Sequence, residues 1–132
     1  MSANFQLLHI GISVSDLERS LDWYQKYLGL EVVKKFEKKE LEITGALLSN
    51  GNFSLEVLRP DSLESGHGKK NGQLVEALRG SGSNHFAVEV EDLKSFYQCL
   101  LNDRQKLVSE IIGDKMFFVK DPDGSLIEVK GQ

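Results

Sequence analysis

Two histidines and two glutamates occupy matching places in two similar stretches of the chain. His9 opens "HIGISVSDLERSLDWYQKYLGLEV", and His85 opens "HFAVEVEDLKSFYQCLLNDRQKLV". Glu56 in "FSLEVL" and Glu128 in "SLIEVK" each interrupt a later apolar run. Imidazole nitrogens and carboxylate oxygens are suitable ligands for divalent first-row metals. The pattern therefore predicts a metal site, provided that the fold brings these side chains together.

Each of these residues taken singly has an ordinary structural explanation. A histidine at a strand start usually forms local hydrogen bonds, and a glutamate within a strand usually faces solvent. A partly buried carboxylate is costly unless it is paired or coordinates a metal. The recurrence of one histidine and one glutamate in equivalent places of a repeat favours the metal site.

The elements that must position these residues form a duplicated unit. Asp16-Leu17 follow His9 by seven and eight residues, and Asp92-Leu93 follow His85 at the same offsets. Apolar residues at helical spacing come next, with Leu100 and Leu101 on the apolar stripe of the second copy, and three strand-like runs follow in each half, including "KLVSEII" in the second. The Asn-Gly pair in "SNGN" predicts a hairpin turn in the first half, and "GQLVEALRG" is predicted as a short helix in the connecting stretch. We predict an α+β fold in which two βαβββ modules form a cupped, partly open, eight-stranded barrel-like sheet. The chain is interpreted as one domain over 1–132, with modules at about 5–59 and 84–131 and a loop at about 60–83.

Side-chain alternation along the strands places the candidate residues on one face of each module. Residues two apart in a strand share a face. Ile10 and Ile12 are expected to meet the helices, which leaves His9 on the other face, and His85 has the same relation to Phe86 and Val88. The glutamates likewise alternate with apolar neighbours in the closing strand of each module.

Local signals predict where the first helix begins and ends and how the cysteine is placed. Ser15 and Glu18 have the spacing of a capping box, and Gly29 is a helix terminator. Cys99, the only cysteine, lies among apolar helix residues and is predicted to be a packed core thiol.

Composition excludes several classes of function. The formal net charge of −4 and the pI near 5.4 do not fit a nucleic-acid-binding protein. No apolar run reaches the length of a membrane span, and no secretory signal is recognised. We therefore expect a cytoplasmic protein that acts on a small molecule, without a nucleic-acid or membrane partner.

The chain resembles the vicinal oxygen chelate superfamily, which contains glyoxalases, bleomycin-resistance proteins and dioxygenases. The resemblance is carried by "LLHIGISVSDLERSLDWYQKYLGLEV", "FSLEV", "NHFAVEVEDL" and "FFVKDPDGSLIEV", in that order. It implies that His9, Glu56, His85 and Glu128 are the four ligands of a divalent ion, which can be Ni, Co, Mn, Fe or Zn. It also implies a homodimer, with each site formed within one chain or shared between two.

Within the family, the ligand set most resembles bacterial glyoxalase I. That resemblance implies lactoylglutathione lyase-type isomerisation of a thiol adduct through an enediolate, with Glu128 as the first candidate base and Glu56 acting on the opposite side. Two positions depart from the glyoxalase I pattern: Ser13 replaces a common arginine, and Pro60 replaces a common asparagine.

Two alternative functions stay open on the sequence. One is a methylmalonyl-CoA epimerase-like enzyme acting on a thioester, to which "VEALRGSGSNHFAVEV" is similar, although that branch usually has glutamine where Glu56 stands. The other is a non-catalytic protein that binds a small molecule or an antibiotic, although such relatives generally lack the four ligands.

Several other polar residues are predicted to have lesser roles. His67 is interpreted as a solvated loop residue rather than a fifth ligand. Lys69 and Lys70 could clamp an anionic tail of a substrate, and Arg59 and Arg79 could meet a carboxylate or phosphate. Nothing in the sequence fixes the direction of these two arginines.

Overall fold

The computed structural model describes residues 6–62 and 85–132 of the chain. The chain divides into two compact units, Met1–Leu63 and Glu64–Gln132. Each unit has the predicted order of one strand, one helix and three further strands. The predicted α+β class with two βαβββ modules is therefore confirmed. The predicted helical stretch "GQLVEALRG" lies outside the described residues.

The first unit is one open four-stranded sheet with a helix against it. Its elements are β1 (Ile10–Ser13), α1 (Leu17–Leu28), β2 (Glu31–Lys38), β3 (Ile43–Ser49) and β4 (Ser54–Pro60). A 3₁₀ turn at Lys39–Leu41 separates β2 from β3. The strand order is β1-β4-β3-β2, in which the β1–β4 pair is parallel and the other pairs are antiparallel.

The second unit repeats this topology with shorter outer strands. Its elements are β5 (His85–Val90), α2 (Leu93–Asn102), β6 (Lys106–Leu107), β7 (Met116–Lys120) and β8 (Leu126–Gly131). The strand order is β5-β8-β7-β6, again with a parallel pair, β5–β8, at one side. The predicted strand "KLVSEII" is shorter than expected, because only its first two residues pair as β6.

The helix α1 begins at a different residue from the one predicted. Asp16 is the N-cap, and its carboxylate accepts a hydrogen bond of 3.1 Å from the backbone N–H of Arg19. Ser15 instead accepts a side-chain hydrogen bond from Arg19, so the predicted capping box of Ser15 with Glu18 is wrong. The predicted end at Gly29 is correct, because this residue has the left-handed φ of 64° that glycine adopts readily.

The helix α2 has an equivalent cap at its start. The carboxylate of Asp92 accepts hydrogen bonds from the backbone N–H of Ser95, at 3.0 Å, and from the Ser95 hydroxyl, at 2.8 Å. The repeated Asp-Leu pair of the sequence is thus the first turn of a helix in both units, with the aspartate as cap.

Each unit has its own hydrophobic core between its helix and one face of its sheet. In the first unit α1 contacts β4, and the fully buried side chains include Leu21, Tyr24, Leu55 and Val57. In the second unit α2 contacts β8. Its buried residues include Leu93, Leu100, Phe117, Ile127 and Val129. The opposite face of each sheet is left for the candidate site residues.

Two predictions about the second helix require correction. Cys99 is exposed, so it is not the packed thiol that its apolar neighbours predicted. Leu101, expected on the apolar stripe, is 48% exposed. The buried side of α2 is centred on Leu93 and Leu100, and residues 99 and 101 are each turned by about 100° from Leu100. Among the described residues, no helix combines the length and apolar character needed to cross a membrane.

Candidate functional site

The first unit brings His9 and Glu56 together. The parallel pairing of β1 with β4 sets Gly11 beside Glu56. His9 lies two residues before Gly11, so alternation places its side chain on the face that carries Glu56. Nε2 of His9 lies 3.7 Å from Oε1 of Glu56. Two residues that are far apart in the sequence thus become neighbours through strand register.

The second unit brings His85 and Glu128 together by the same register. Ala87, two residues after His85, pairs with Glu128 in the parallel β5–β8 pair. Nε2 of His85 lies 3.2 Å from Oε1 of Glu128. The imidazole ring also packs edge-on against Phe118, with 5.6 Å between ring centroids. Each module therefore carries one histidine–glutamate pair in the same position.

Both pairs are accessible yet partly shielded from water. The side chains of His9 and Glu56 are 38% and 23% exposed, and those of His85 and Glu128 are 28% and 20% exposed. A proton or a cation between an imidazole nitrogen and a carboxylate oxygen stabilises both groups. One nitrogen and one oxygen donor per module is also a set that fits a divalent first-row ion.

The two observed pairs do not by themselves bring all four predicted ligands to one ion. Within residues 6–62 and 85–132, no group of three or more histidine, cysteine, aspartate or glutamate side chains is arranged to hold a metal. The structure thus assembles the donors two by two, once in each unit. The shared four-ligand site stays a prediction.

A cavity of about 280 Å³ lies beside the first pair. Its wall includes the hairpin turn between β3 and β4, where the side-chain oxygen of Asn50 accepts hydrogen bonds from the backbone N–H groups of Asn52 and Phe53. These bonds hold the turn in one conformation. The lining residues are Leu7, Leu8, His9, Ile10, Ser49, Gly51, Asn52, Phe53 and Ser54.

The sequence predicted this hairpin from its Asn-Gly turn but did not connect it with His9. The parallel register makes the connection, because Ile10 pairs with Leu55 and so brings the start of β1 beside the start of β4. The parallel order of β1 and β4, which follows from a βαβββ unit, was the signal that could have located the cavity.

Comparison with known protein families identifies the fold. Residues 6–129 match the family model described as the Glyoxalase/Bleomycin resistance protein/Dioxygenase superfamily. The chain belongs to this superfamily. The resemblance that the sequence motifs indicated is therefore confirmed over almost the whole chain.

Individual superfamily members are similar over nearly the full length. A probable lactoylglutathione lyase of Synechocystis is 32% identical, with 93% of this chain and 92% of that protein covered. The human mitochondrial methylmalonyl-CoA epimerase is 27% identical, with 95% and 73% covered. The structure of a trypanothione-dependent glyoxalase I of Leishmania major aligns with a TM-score of 0.76 at 28% identity, covering 97% of this chain and 87% of that one.

The two positions that depart from the glyoxalase I pattern lie on the same face as the first pair. Ser13 alternates with Gly11 along β1, and Pro60 is four residues beyond Glu56 in β4. Arg59 is three residues beyond Glu56 and lies on the opposite face of β4. The remaining candidates for anion binding, Lys69, Lys70 and Arg79, and the loop residue His67 lie outside the described residues.

Proposed function

We propose that the protein is a metal-dependent glyoxalase-like enzyme that isomerises a thiol adduct of a 2-oxoaldehyde. His9, Glu56, His85 and Glu128 are the proposed ligands of one divalent ion. The observation that carries this proposal is the repeated pair, in which a histidine nitrogen meets a glutamate oxygen in the same register of both modules. A structural role for one pair would not require the other.

The comparisons support an enzyme of this type. The Synechocystis relative is named a probable lactoylglutathione lyase, and a lactoylglutathione lyase of Neisseria meningitidis is 30% identical over 93% of this chain. Members of the superfamily generally use divalent metals, and the donor set of the two pairs fits such an ion. Metal dependence and the thiol adduct are parts of the proposal.

The proposed chemistry moves one proton between adjacent carbons. A bound divalent ion would supply positive charge that stabilises the enediolate formed when the carbon next to the carbonyl loses its proton. Glu128 is the proposed base that takes this proton. Glu56 is the proposed acid that would deliver a proton to the neighbouring carbon from the opposite side of the site. The proton of the original hydroxyl passes to the former carbonyl oxygen, so the isomerisation needs no external oxidant or reductant. Proton exchange with water returns both carboxyl groups to their starting state.

A second candidate, an epimerase acting on a thioester, uses the same two steps. The observation that favours it is the 27% identity with human methylmalonyl-CoA epimerase over 95% of this chain. In an epimerase the proton returns to the carbon that lost it, on the opposite face. The pair of carboxylates can serve either reaction, so the identity of the substrate separates the two candidates.

Metal analysis of variants tests the ligand assignment. Purified wild type is expected to bind about one divalent ion per chain, and Glu56→Ala is expected to lose most of it. Glu89→Ala is the matched control, because Glu89 is an exposed glutamate on the same face of β5 as His85. Equal metal content in wild type and Glu56→Ala would refute the ligand assignment.

Turnover then separates the candidate functions. The metal-loaded protein is assayed with the hemithioacetal of methylglyoxal and glutathione, and separately with methylmalonyl-CoA. Isomerisation of the first supports the glyoxalase proposal, and epimerisation of the second supports the alternative. Tight binding of either compound without turnover would indicate a binding protein instead.

A further inference from the structure

The face of the first sheet that carries Glu56 also carries two lysines along its outer strand. Strand register defines one row of side chains across this face, in which Glu56 pairs with Leu47 and Leu47 pairs with Lys34. Neighbouring strands are about 4.8 Å apart, so the backbone of Lys34 lies roughly 10 Å from that of Glu56. Lys38 is four residues further along β2 and lies on the same face.

The lysine between them confirms the direction of these side chains. Lys35 alternates with Lys34, and its ammonium group forms a 3.0 Å ion pair with Glu18 of α1. Helix α1 packs on the opposite face of the sheet, where Lys35 pairs with the buried Ala46. Lys34 and Lys38 must therefore lie on the face of the histidine–glutamate pair.

A strip of apolar surface lies between the lysines and the pair. Phe36 pairs with Gly45, and its ring covers this glycine so closely that an added Cβ would lie 2.8 Å from a ring carbon. Half-buried Leu47 and Leu58 continue the strip on β3 and β4. The face thus presents a charged edge, an apolar middle, and the His9–Glu56 pair at its other side.

The two lysines on this face differ from Lys35 in their partners. Among residues 6–62 and 85–132, neither Lys34 nor Lys38 forms an ion pair with a carboxylate, whereas Lys35 does. The ammonium group of Lys38 lies 5.2 Å from the centroid of the Phe36 ring, which favours a cation position above the apolar strip. In a chain with net charge −4, this edge is a local concentration of positive charge.

We propose that Lys34 and Lys38 bind the anionic end of the substrate. The substrate class is a thiol adduct or thioester that carries a carboxylate or phosphate group roughly two strand spacings, or about 10 Å, from its reacting carbon. An apolar or amide-containing stretch of the molecule would cross the strip of Phe36 and Leu47. The position of the reacting carbon rests on the proposed function. The anion site depends only on the positions of Lys34 and Lys38 on this face of the sheet.

Direct binding of unreactive probes tests the anion site independently of turnover. Calorimetry is carried out with S-hexylglutathione, with its diethyl ester, and with S-methyl-coenzyme A. The wild type is expected to bind at least one of the two anionic thioethers, and the double variant K34Q/K38Q is expected to bind that probe at least about tenfold more weakly. Added salt should weaken wild-type binding and have little effect on the variant.

Three controls make the result specific to this pair of lysines. K35Q removes one lysine charge from the opposite face, so it should change the affinity less than about twofold. The exposed ion pair of Lys35 with Glu18 contributes little to stability, so this control is expected to fold normally. K34R/K38R keeps the charges and should retain most of the affinity. If glutathione is the source of the anion, the diethyl ester should bind wild type and K34Q/K38Q equally. If coenzyme A phosphates are the source, only the coenzyme A probe should depend on the lysines.

The outcomes separate this proposal from the proposed function. The anion site is overturned if no anionic probe binds, if K34Q/K38Q binds as tightly as wild type, or if K35Q weakens binding equally. Lysine-dependent binding in a protein that turns over neither candidate substrate would support the anion site and refute the enzymatic proposal. In an active enzyme, K34Q/K38Q should raise KM for the anionic substrate while kcat changes little.

Discussion

The histidine–glutamate pairs of the two units have the same backbone frame and different surroundings. In both, the residue two positions after the histidine pairs in parallel with the glutamate. Yet the first pair is separated by 3.7 Å and its histidine is 38% exposed, whereas the second is separated by 3.2 Å and its histidine is 28% exposed. The two units thus share the strand register, while the nitrogen–oxygen distance and the exposure of each pair differ with the neighbouring side chains.

The neighbours of the glutamates explain this difference. Leu47 pairs with Glu56 in the first unit, and Phe118 pairs with Glu128 in the second. The Phe118 ring packs against His85 and fixes its imidazole. His9 has the 280 Å³ cavity beside it instead. The comparison indicates that the histidine of the second pair packs against an aromatic ring, while the histidine of the first pair borders a cavity.

The largest effect is expected from the glutamates. If the proposed function is correct, Glu128→Gln should reduce kcat by roughly 100- to 10,000-fold, the range that a positioned acid–base group contributes. Glu56→Gln should show a reduction of the same order. Steady-state assays of both variants at saturating metal measure this, with Glu89→Gln as control. Full activity in Glu128→Gln would exclude it as the base.

Two glycines on the candidate face of the first unit should differ in how their replacement by alanine changes stability. Gly45→Ala is expected to destabilise the protein by about 1–3 kcal/mol, because its Cβ would lie 2.7 Å from the Val57 carbonyl oxygen and 2.8 Å from the Phe36 ring. Gly11→Ala places alanine where the second unit has Ala87. It should raise stability by up to about 1 kcal/mol, because nothing lies within 4 Å of the new Cβ and alanine has less conformational freedom than glycine in the unfolded chain.

Urea denaturation measures both glycine variants against wild type. Equal effects of the two substitutions would show that Phe36 does not cover Gly45 in solution. A large loss of unfolding free energy in Gly11→Ala would show that β1 and β5 are less alike than their register indicates.

The histidines should differ in what they contribute to the metal-free fold. His85→Ala is expected to cost about 1 kcal/mol, because it removes the edge-on contact with Phe118. His9→Ala is expected to cost less than roughly 0.5 kcal/mol, because this side chain is more exposed. Urea denaturation in the presence of a chelator measures both. A larger loss of unfolding free energy in His9→Ala than in His85→Ala would contradict this comparison.

The smallest expected effect is a pH dependence at the start of α2. Hydrogen bonds from the backbone N–H and then the hydroxyl of Ser95 lower the pKa of Asp92 below its ordinary value of 3.8. Because the pKa is lower in the folded protein, the ionised cap stabilises the fold above the ordinary pKa. This contribution is lost as the pH falls through the lowered value.

Acid titration of Asp92→Asn checks this cap. The stability of wild type should fall more steeply than that of Asp92→Asn as the pH is lowered below the ordinary aspartate pKa of 3.8, as monitored by urea denaturation at each pH. Parallel pH profiles for the two proteins would show that the carboxylate of Asp92 does not contribute in its charged form.

The sequence predicted that the histidine and the glutamate of each module share a face, and their contact depends on one local rule and one topological rule. Alternation places His9 and Glu56 on defined faces of their strands, and the βαβββ order makes the first and last strands of a module parallel neighbours. The first-helix cap was assigned one residue too early because Ser15 and Asp16 are both good caps. Only backbone geometry shows that Asp16 reaches the N–H of Arg19.

Other features depend on packing that no local pattern encodes. The exposure of Cys99 follows from how α2 is rotated on its sheet, and its apolar neighbours gave no sign of that rotation. The cavity beside His9 needs both the start of β1 and the β3–β4 hairpin, which are distant in sequence. Lys34 rather than Lys35 lies on the face of the histidine–glutamate pair because of the register of β2, and a bulge at Val33 shifts that register.

Crystallography of the protein grown with Co²⁺, with data collected at the cobalt absorption edge, tests the central claim most directly. One anomalous peak is expected within coordination distance of Nε2 of His9 and of His85 and of the carboxylates of Glu56 and Glu128, drawn from one chain or from two. A peak that contacts only one of the two pairs, or none of these four side chains, would contradict it.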